Sequence, residues 1–189
     1  MPSFSHLFTR SLLAKNPAMA ARFKQWLWEP GMGFQDTGLW WGREKKRISL
    51  HEGVDFVRFR DRNGKVCNFV SPLAVPTIFP GEIARFHRDF LAWSLYIRHP
   101  QFVLPGRVLY TVFGHLQIGN KVCMGQRVVV GEVVGSLEKY RLNNAVPLHL
   151  HLTIAWISEV VAPEQLSWQL LNDRDLVTLV DPRTDCPLI

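Results

Sequence analysis

Short apolar runs with a period of two, each ended by a turn signal, constrain the fold of this chain most. Residues 54–59 and 65–70 have the alternation typical of strands, and Asn63-Gly64 between them is a strong hairpin signal. With twelve prolines and thirteen glycines available for turns, the chain is predicted to be rich in strands and loops. Further strands are predicted near residues 78–86, 92–98, 107–113 and 149–157.

A segment of regularly spaced glycines follows these strands. Gly119, Gly125 and Gly131 are six residues apart, with valines between them. This spacing suits tight turns that join very short strands. A phosphate-binding loop would need its glycines to lead into a helix N-terminus, whereas strand-forming valines follow here, so nucleotide binding is not predicted.

Helical patterns occur at the two ends of the chain. Residues 5–27 are predicted to be helical with a break or kink at Pro17, and a second helix is predicted at residues 163–172, before a strand at 176–180. The chain of 189 residues has no internal repeat and no long linker. It is therefore predicted to form one compact unit.

The charge and cysteine content exclude some classes of function. The formal net charge is +6 and the sequence pI is about 9.5, but the charges are scattered and no RNA-binding signature is present, so no nucleic-acid partner is predicted. Three cysteines far apart in sequence, Cys67, Cys123 and Cys186, argue against a disulfide framework and favour a reducing compartment.

No apolar run approaches 18 residues, so no transmembrane segment is predicted. The N-terminus lacks the apolar region and small-residue cleavage site of a secretory signal. The expected protein is soluble. By sequence its location is cytoplasmic, or it faces the cell wall after export by another route.

Four of the seven histidines fall in three short segments with an aspartate. Zn²⁺ binds imidazole nitrogen and carboxylate oxygen, and catalytic zinc sites leave one coordination position open. Residues i and i+2 of a strand share a face, so His149 and His151 are expected to project together. The segments are His51-Glu-Gly-Val-Asp55, Gly114-His115-Leu116 and His149-Leu-His151.

In this order, and with the glycine–valine segment between the second and third, the motifs resemble the lysostaphin-type (LytM-like) zinc metallopeptidases. The similarity covers about residues 40–185. It implies a mainly β (α+β) fold with an antiparallel β-sheet core and flanking N- and C-terminal helices. It also implies two segments, an N-terminal helical extension at 1–39 and a zinc peptidase domain at 40–189.

Residue by residue, the resemblance implies that His51, Asp55 and His151 bind Zn²⁺ and that His115 and His149 are the catalytic pair. The implied activity is hydrolysis of peptide bonds, with peptide cross-links of peptidoglycan as substrate, by a zinc-activated water assisted by two histidines. Zn²⁺ lowers the pKa of water and polarises the scissile carbonyl. No HExxH motif supplies a glutamate base, so histidines would accept and donate the protons, and which one does which stays open.

Two departures from the family pattern bear on specificity. Leu148 separates Pro147 from His149, and Thr153 stands where an acid is common. A non-catalytic module that holds zinc structurally is the main alternative, and an amidase or esterase using the same water is another. Trp40, Trp41 and Tyr140 are candidate substrate contacts. Oligomeric state, and whether residues 1–39 cover the site, stay open.

Overall fold

The computed structural model describes residues 2–42, 46–120, 122–138 and 146–184. It contains two helices, twelve strands and two 3₁₀ turns within these residues. The helices are α1 (Phe4–Lys15) and α2 (Pro17–Ala20), and the 3₁₀ turns span Pro163–Gln165 and Leu170–Asn172. The strands are β1 (Phe23–Leu27), β2 (Val54–Phe56), β3 (Arg58–Asp61), β4 (Val66–Asn68), β5 (Leu73–Pro76), β6 (Gly81–Arg88), β7 (Trp93–Leu104), β8 (Arg107–Leu116), β9 (Arg127–Val128), β10 (Val133–Leu137), β11 (Leu150–Ser158) and β12 (Val177–Val180).

The fold is mainly β with an antiparallel core, as the sequence predicted. The largest sheet has the order β12-β11-β8-β7-β6-β9, and β2 pairs with the first part of β11. Two smaller sheets have the orders β1-β3-β4 and β10-β5. Each pairing among these strands is antiparallel.

The predicted turn chemistry is found where the sequence placed it. Strands β3 and β4 pair across the Asn63-Gly64 turn, in which Gly64 has φ +85°. Gly125 and Gly131 also have positive φ, next to the short strands β9 and β10. A side chain would be strained in this backbone conformation, which explains glycine at these turns.

The helical prediction for residues 5–27 was wrong in its last part. Pro17 begins the short helix α2, and residues 23–27 form β1, which pairs with β3. Phe23 packs on Phe59 with ring centroids 5.6 Å apart, and Trp26 packs on Phe56 at 4.8 Å. Pairing and aromatic packing with β2 and β3 therefore override the local helical spacing.

The helix predicted at residues 163–172 was also wrong, because two separate 3₁₀ turns stand there. The Gln165 side chain accepts a hydrogen bond from the Ala162 N–H, and the Ser167 hydroxyl accepts one from the Leu170 N–H. Such local side-chain bonds compete with the hydrogen-bond ladder of a helix. Residues 163–172 consequently form tight turns in place of a helix.

Helix α1 is part of the hydrophobic core. Its apolar residues Phe4, Leu7, Phe8 and Leu12 are buried, and the Phe8 ring lies 5.2 Å from Phe56 and 5.9 Å from Phe113. The Ser3 side chain caps its N-terminus by accepting from the His6 N–H. The division of the chain after residue 39 stays a prediction. In the part of the chain that the structure covers, we found no helix with the length and apolar character needed to cross a membrane.

Candidate metal centre

Strand register brings the three histidine segments together. On β11, His151 is the antiparallel partner of Asp55 on β2 and of Gly114 on β8. His115 follows Gly114, and His149 lies immediately before the first residue of β11. Positions about a hundred residues apart in sequence therefore become neighbours through pairing on the two sides of β11.

The His51-to-Asp55 segment requires glycine at its centre. A Cβ on Gly53 would overlap the carbonyl oxygen of Leu152 and lie 2.8 Å from Thr153 Oγ1. Both residues belong to β11, which carries His151. Gly53 therefore lets the segment with two candidate ligands lie against the strand with the third.

Replacing Gly53 by alanine is expected to lower the free energy of unfolding by about 1–3 kcal/mol, because the added methyl group must displace backbone of β11. Denaturant unfolding would measure this loss, and zinc content should fall with it. Gly119→Ala is the control: no atom of the described residues lies within 4 Å of a Cβ there, so a change below about 1 kcal/mol is expected. Equal stabilities of the two variants would contradict this account.

Three candidate ligand atoms converge on one point. His51 Nε2 lies 3.2 Å from Asp55 Oδ1 and 3.0 Å from His151 Nδ1. His151 Nδ1 lies 3.0 Å from the same oxygen of Asp55. All three side chains are buried. Among the described residues, these three side chains could hold a metal ion, and they are the three that the sequence predicted as zinc ligands. They are named the metal-binding group for this capacity.

The outer atoms of these side chains are held by the surrounding protein. His51 Nδ1 donates to the carbonyl oxygen of Gly33 at 2.7 Å, and His151 Nε2 lies 2.7 Å from Thr153 Oγ1. Asp55 Oδ2 accepts hydrogen bonds from Trp40 Nε1 at 2.7 Å and Arg47 Nη2 at 3.1 Å. Such outer partners orient the ligating atoms of a metal site.

This arrangement fits Zn²⁺. Because a carbonyl oxygen only accepts, a neutral His51 carries its proton on Nδ1 and turns the lone pair of Nε2 towards the carboxylate of Asp55. A cation between these atoms removes their repulsion. Ligands bonded to zinc at about 2.0–2.2 Å in a tetrahedron are roughly 3.3–3.6 Å apart, so the observed separations need only a small expansion.

Burial and neighbouring charge set the protonation states expected of this group. Burial alone would raise the pKa of Asp55, yet protons on the facing nitrogens of His51 and His151 would, through charge and hydrogen bonds, hold it well below its ordinary value. A metal ion would take the place of those protons. Burial lowers the pKa of His151, against the opposing effect of Asp55. An ionised carboxylate beside neutral imidazoles is the form in which these groups bind a metal.

The two predicted catalytic histidines lie beside this group. The rings of His115 and His149 have centroids 4.7 Å apart, and the His115 ring lies 6.3 Å from that of His151. His149 Nδ1 donates to the Pro147 carbonyl at 2.9 Å. Burial and the nearby His115 lower the pKa of His149 to about 3. A neutral His149 can accept a proton.

One pocket connects the metal-binding group with the two histidines. Three large aromatic side chains, Trp41, Phe90 and Trp168, line it together with polar residues. The indole N–H of Trp40 donates to Asp55, and a contact of Trp40 with substrate stays a prediction. Tyr140 lies outside the described residues. The pocket is lined by Trp41, Arg47, Glu52, Asp55, Phe90, His115, His149, His151 and Trp168.

The other histidines lie away from this pocket. His6 is exposed, and His87 is half-buried on β6. His99 is buried, with Nδ1 donating to the Pro80 carbonyl and Nε2 2.9 Å from Thr111 Oγ1. Burial lowers the pKa of His99 to about 4, which keeps it neutral. The sequence predicted structural or exposed positions for these three histidines and left open a place for His99 near the site.

Asp89 is a residue of the site that the sequence analysis missed. Its carboxylate oxygen Oδ2 accepts a hydrogen bond from the backbone N–H of His115 and lies 3.2 Å from the Nδ1 atom of that ring. Asp89 lies 26 residues before His115 and belongs to none of the histidine motifs. Only the pairing of β7 with β8 brings the turn before β7 close to the end of β8.

Comparison with known proteins gave matches among solved structures. No protein-family model matches the chain, and no curated protein matches it by sequence. A point mutant of the catalytic domain of EnpA, a prophage-encoded M23 protein from Enterococcus faecalis, is 17% identical, with 86% of this chain and 88% of that chain covered and a TM-score of 0.44. M23 peptidase domains are among the solved structures similar to this chain.

Two further structures are similar at the same level. An M23 peptidase from Pseudomonas aeruginosa is 20% identical over 79% of this chain and 56% of its own, with a TM-score of 0.40. A chain of the SpoIIQ–SpoIIIAH pore-forming complex is 19% identical over 66% and 72%, also with a TM-score of 0.40. Identities in this range are too low to transfer the roles of residues.

Proposed function

We propose that this chain is a zinc-dependent endopeptidase that hydrolyses peptide bonds, with the peptide cross-links of peptidoglycan as its substrate class. The observation that carries the proposal is the meeting of a His–Asp–His group and two further histidines at one pocket. The choice of peptidoglycan rests on the sequence resemblance. The zinc ligands in the proposal are His51, Asp55 and His151.

The chemistry divides between the metal and the two histidines. A bound Zn²⁺ would lower the pKa of water and polarise the scissile carbonyl. His115 and His149 lie at the same pocket as the metal-binding group. One takes a proton from the attacking water, and a protonated imidazole delivers a proton to the leaving amine. As imidazolium, either ring also stabilises negative charge on the former carbonyl oxygen.

The substrate in the proposal is an extended peptide with small side chains at the point of cleavage. Trp41, Phe90 and Trp168 line the same pocket as the two histidines. Phe90 is 66% exposed, with its ring 5.0 Å from that of His115. Large aromatic side chains beside the histidines leave less room for bulky substrate side chains, which supports glycine- or alanine-rich cross-bridges as the substrate.

A non-catalytic module that holds zinc structurally is the alternative to this proposal. Structural zinc sites usually have four protein ligands, whereas catalytic sites have three and one open position. The metal-binding group has three members among the residues that the structure covers, and a pocket lies beside it. This arrangement favours the catalytic function.

The test is to purify the protein without added metal and measure its zinc content, then incubate it with synthetic cross-bridge peptides. We expect about one zinc per chain and internal cleavage of glycine- or alanine-rich peptides, detected by mass spectrometry. Chelation should stop cleavage and added zinc should restore it. One zinc per chain without cleavage of any peptide would favour the non-catalytic module, and absence of zinc would overturn the proposal.

A further inference from the structure

The carboxylate of Asp89, at the turn between β6 and β7, makes five polar contacts. Oδ1 accepts hydrogen bonds from the backbone N–H groups of Leu91 at 2.8 Å and Ala92 at 2.7 Å. Oδ2 accepts from the Ser94 hydroxyl at 2.7 Å and the His115 N–H at 3.0 Å, and lies 3.2 Å from His115 Nδ1. The Asp89 side chain is 1% exposed. Asp89 is thus a buried acid whose carboxylate contacts both a turn and a histidine of the proposed site.

The backbone of His115 gives a second indication that this residue is held in place. His115 has φ +68° and is one of two described residues other than glycine with positive φ. This left-handed conformation is unfavourable for a side chain, and it persists where the surrounding structure holds it. The hydrogen bond from the His115 N–H to Asp89 acts directly on that backbone.

The contacts of Asp89 extend to a wall of the pocket. The Ser94 hydroxyl donates to Asp89 and accepts from the indole N–H of Trp168 at 2.9 Å. The Trp168 ring in turn packs edge-on against His151, with centroids 4.8 Å apart. One hydrogen-bonded chain therefore joins the pocket wall, the turn and His115.

Asp89 is suited to accept these hydrogen bonds because its pKa favours the ionised carboxylate. Burial alone would raise its pKa, but the hydrogen bond and charge of His115 lower it, together with bonds from the Ala92 N–H and the Ser94 hydroxyl. The net effect is a pKa below the ordinary value for aspartate. A carboxylate oxygen only accepts, so the His115 nitrogen that faces it must carry the proton.

We infer that Asp89 is the positioning residue of His115, holding both its left-handed backbone and its ring. Nδ1 faces Asp89 Oδ2 at 3.2 Å, so the inferred neutral imidazole carries its proton on Nδ1 and its lone pair on Nε2. A carboxylate that orients a histidine in this way selects one tautomer and stabilises the imidazolium formed when the ring takes a proton. The inference rests on the proposed function for its catalytic consequence, whereas the tautomer itself does not depend on that function.

The test compares the wild type with Asp89→Asn. Asparagine keeps one oxygen for the Leu91 and Ala92 N–H groups but places an amide NH₂ opposite the His115 N–H and Nδ1–H. We expect kcat to fall about 10- to 100-fold with KM nearly unchanged. Zinc content should stay at the wild-type level, because Asp89 contacts none of the three proposed ligands.

NMR of ¹⁵N-histidine-labelled protein measures which ring nitrogen of His115 is protonated, and this measurement does not depend on activity. We expect His115, assigned by its loss in His115→Gln, to be protonated at Nδ1 in the wild type and to populate the other tautomer in Asp89→Asn. The control is Asp61→Asn, since Asp61 also accepts two backbone N–H groups at a hairpin turn but lies outside the site. That variant should change neither the His115 signals nor kcat.

Each outcome decides the inference separately from the proposed function. A wild-type His115 that lacks the Nδ1 proton would overturn it, even if Asp89→Asn does not fold. An Asp89→Asn variant with unchanged His115 signals would overturn it too. If the wild type cleaves no peptide, the proposed function fails while the tautomer still decides whether Asp89 positions His115.

Discussion

Asp55→Ala is expected to retain less than roughly a tenth of the wild-type zinc and to lose peptidase activity by a factor above about 10³. The substitution removes Oδ1, the oxygen that lies 3.2 Å from His51 Nε2 and 3.0 Å from His151 Nδ1. Two neutral imidazoles would then remain, without the negative charge of the site. Elemental analysis of protein purified without added metal measures the loss directly.

Asp55 also stabilises the fold, and the experiment must separate this role from metal binding. Its other oxygen accepts hydrogen bonds from Trp40 and Arg47, so the variant is expected to unfold at a lower temperature. Asp61→Asn supplies the comparison, because it alters a buried acid that does not line the pocket of the metal-binding group. Full zinc content in Asp55→Ala, or an equal loss in Asp61→Asn, would show that the group is not the zinc site.

Those parts of the fold that local rules determine were predictable from the sequence. An Asn-Gly turn between two alternating runs specifies a hairpin, and β3 and β4 form it. The strand at residues 149–157 was recognised by its apolar run, and β11 (Leu150–Ser158) occupies it. In each case the residues that determine the structure lie within a few positions of one another.

The two wrong helix predictions have a different origin. Phe23 and Trp26 have a spacing of three, which a helix could also use, and only pairing with β3 makes this segment a strand. In residues 163–172, side chains of Gln165 and Ser167 bond to nearby backbone N–H groups. Strand pairing is non-local and side-chain geometry is not visible in a hydrophobic pattern, so neither could be read from periodicity.

The candidate site, like the fold, was predictable only where local sequence patterns determine it. Its five polar side chains lie in recognisable motifs. Four of them line one pocket, and the fifth, His51, lies behind it with Nε2 3.0 Å from His151 Nδ1. The residues that hold these side chains in place lie in no recognisable motif. Trp40 and Arg47 reach Asp55 across an irregular segment, and Asp89 reaches His115 from a turn. Such partners depend on how loops and strand ends meet in three dimensions, for which a single sequence offers no pattern.

His115→Ala and His149→Ala are each expected to lower kcat/KM for a cross-bridge peptide by about 10²–10⁴ while zinc content stays near that of the wild type. Neither side chain belongs to the metal-binding group, but both line its pocket. The double variant should lose little more than the worse single variant, because the two rings, 4.7 Å apart, act on one proton-transfer sequence.

The comparison with His99→Ala separates catalysis from loss of a buried histidine. His99 is buried and hydrogen-bonded like the site histidines, but it lies outside the pocket. This variant should lose stability and keep the kcat of its folded fraction. If His115→Ala and His149→Ala retain activity with zinc bound, the two histidines are not the proton-transfer groups. If both lose zinc together with activity, their part is to hold the metal, and the proposed division between ligands and catalytic pair is wrong.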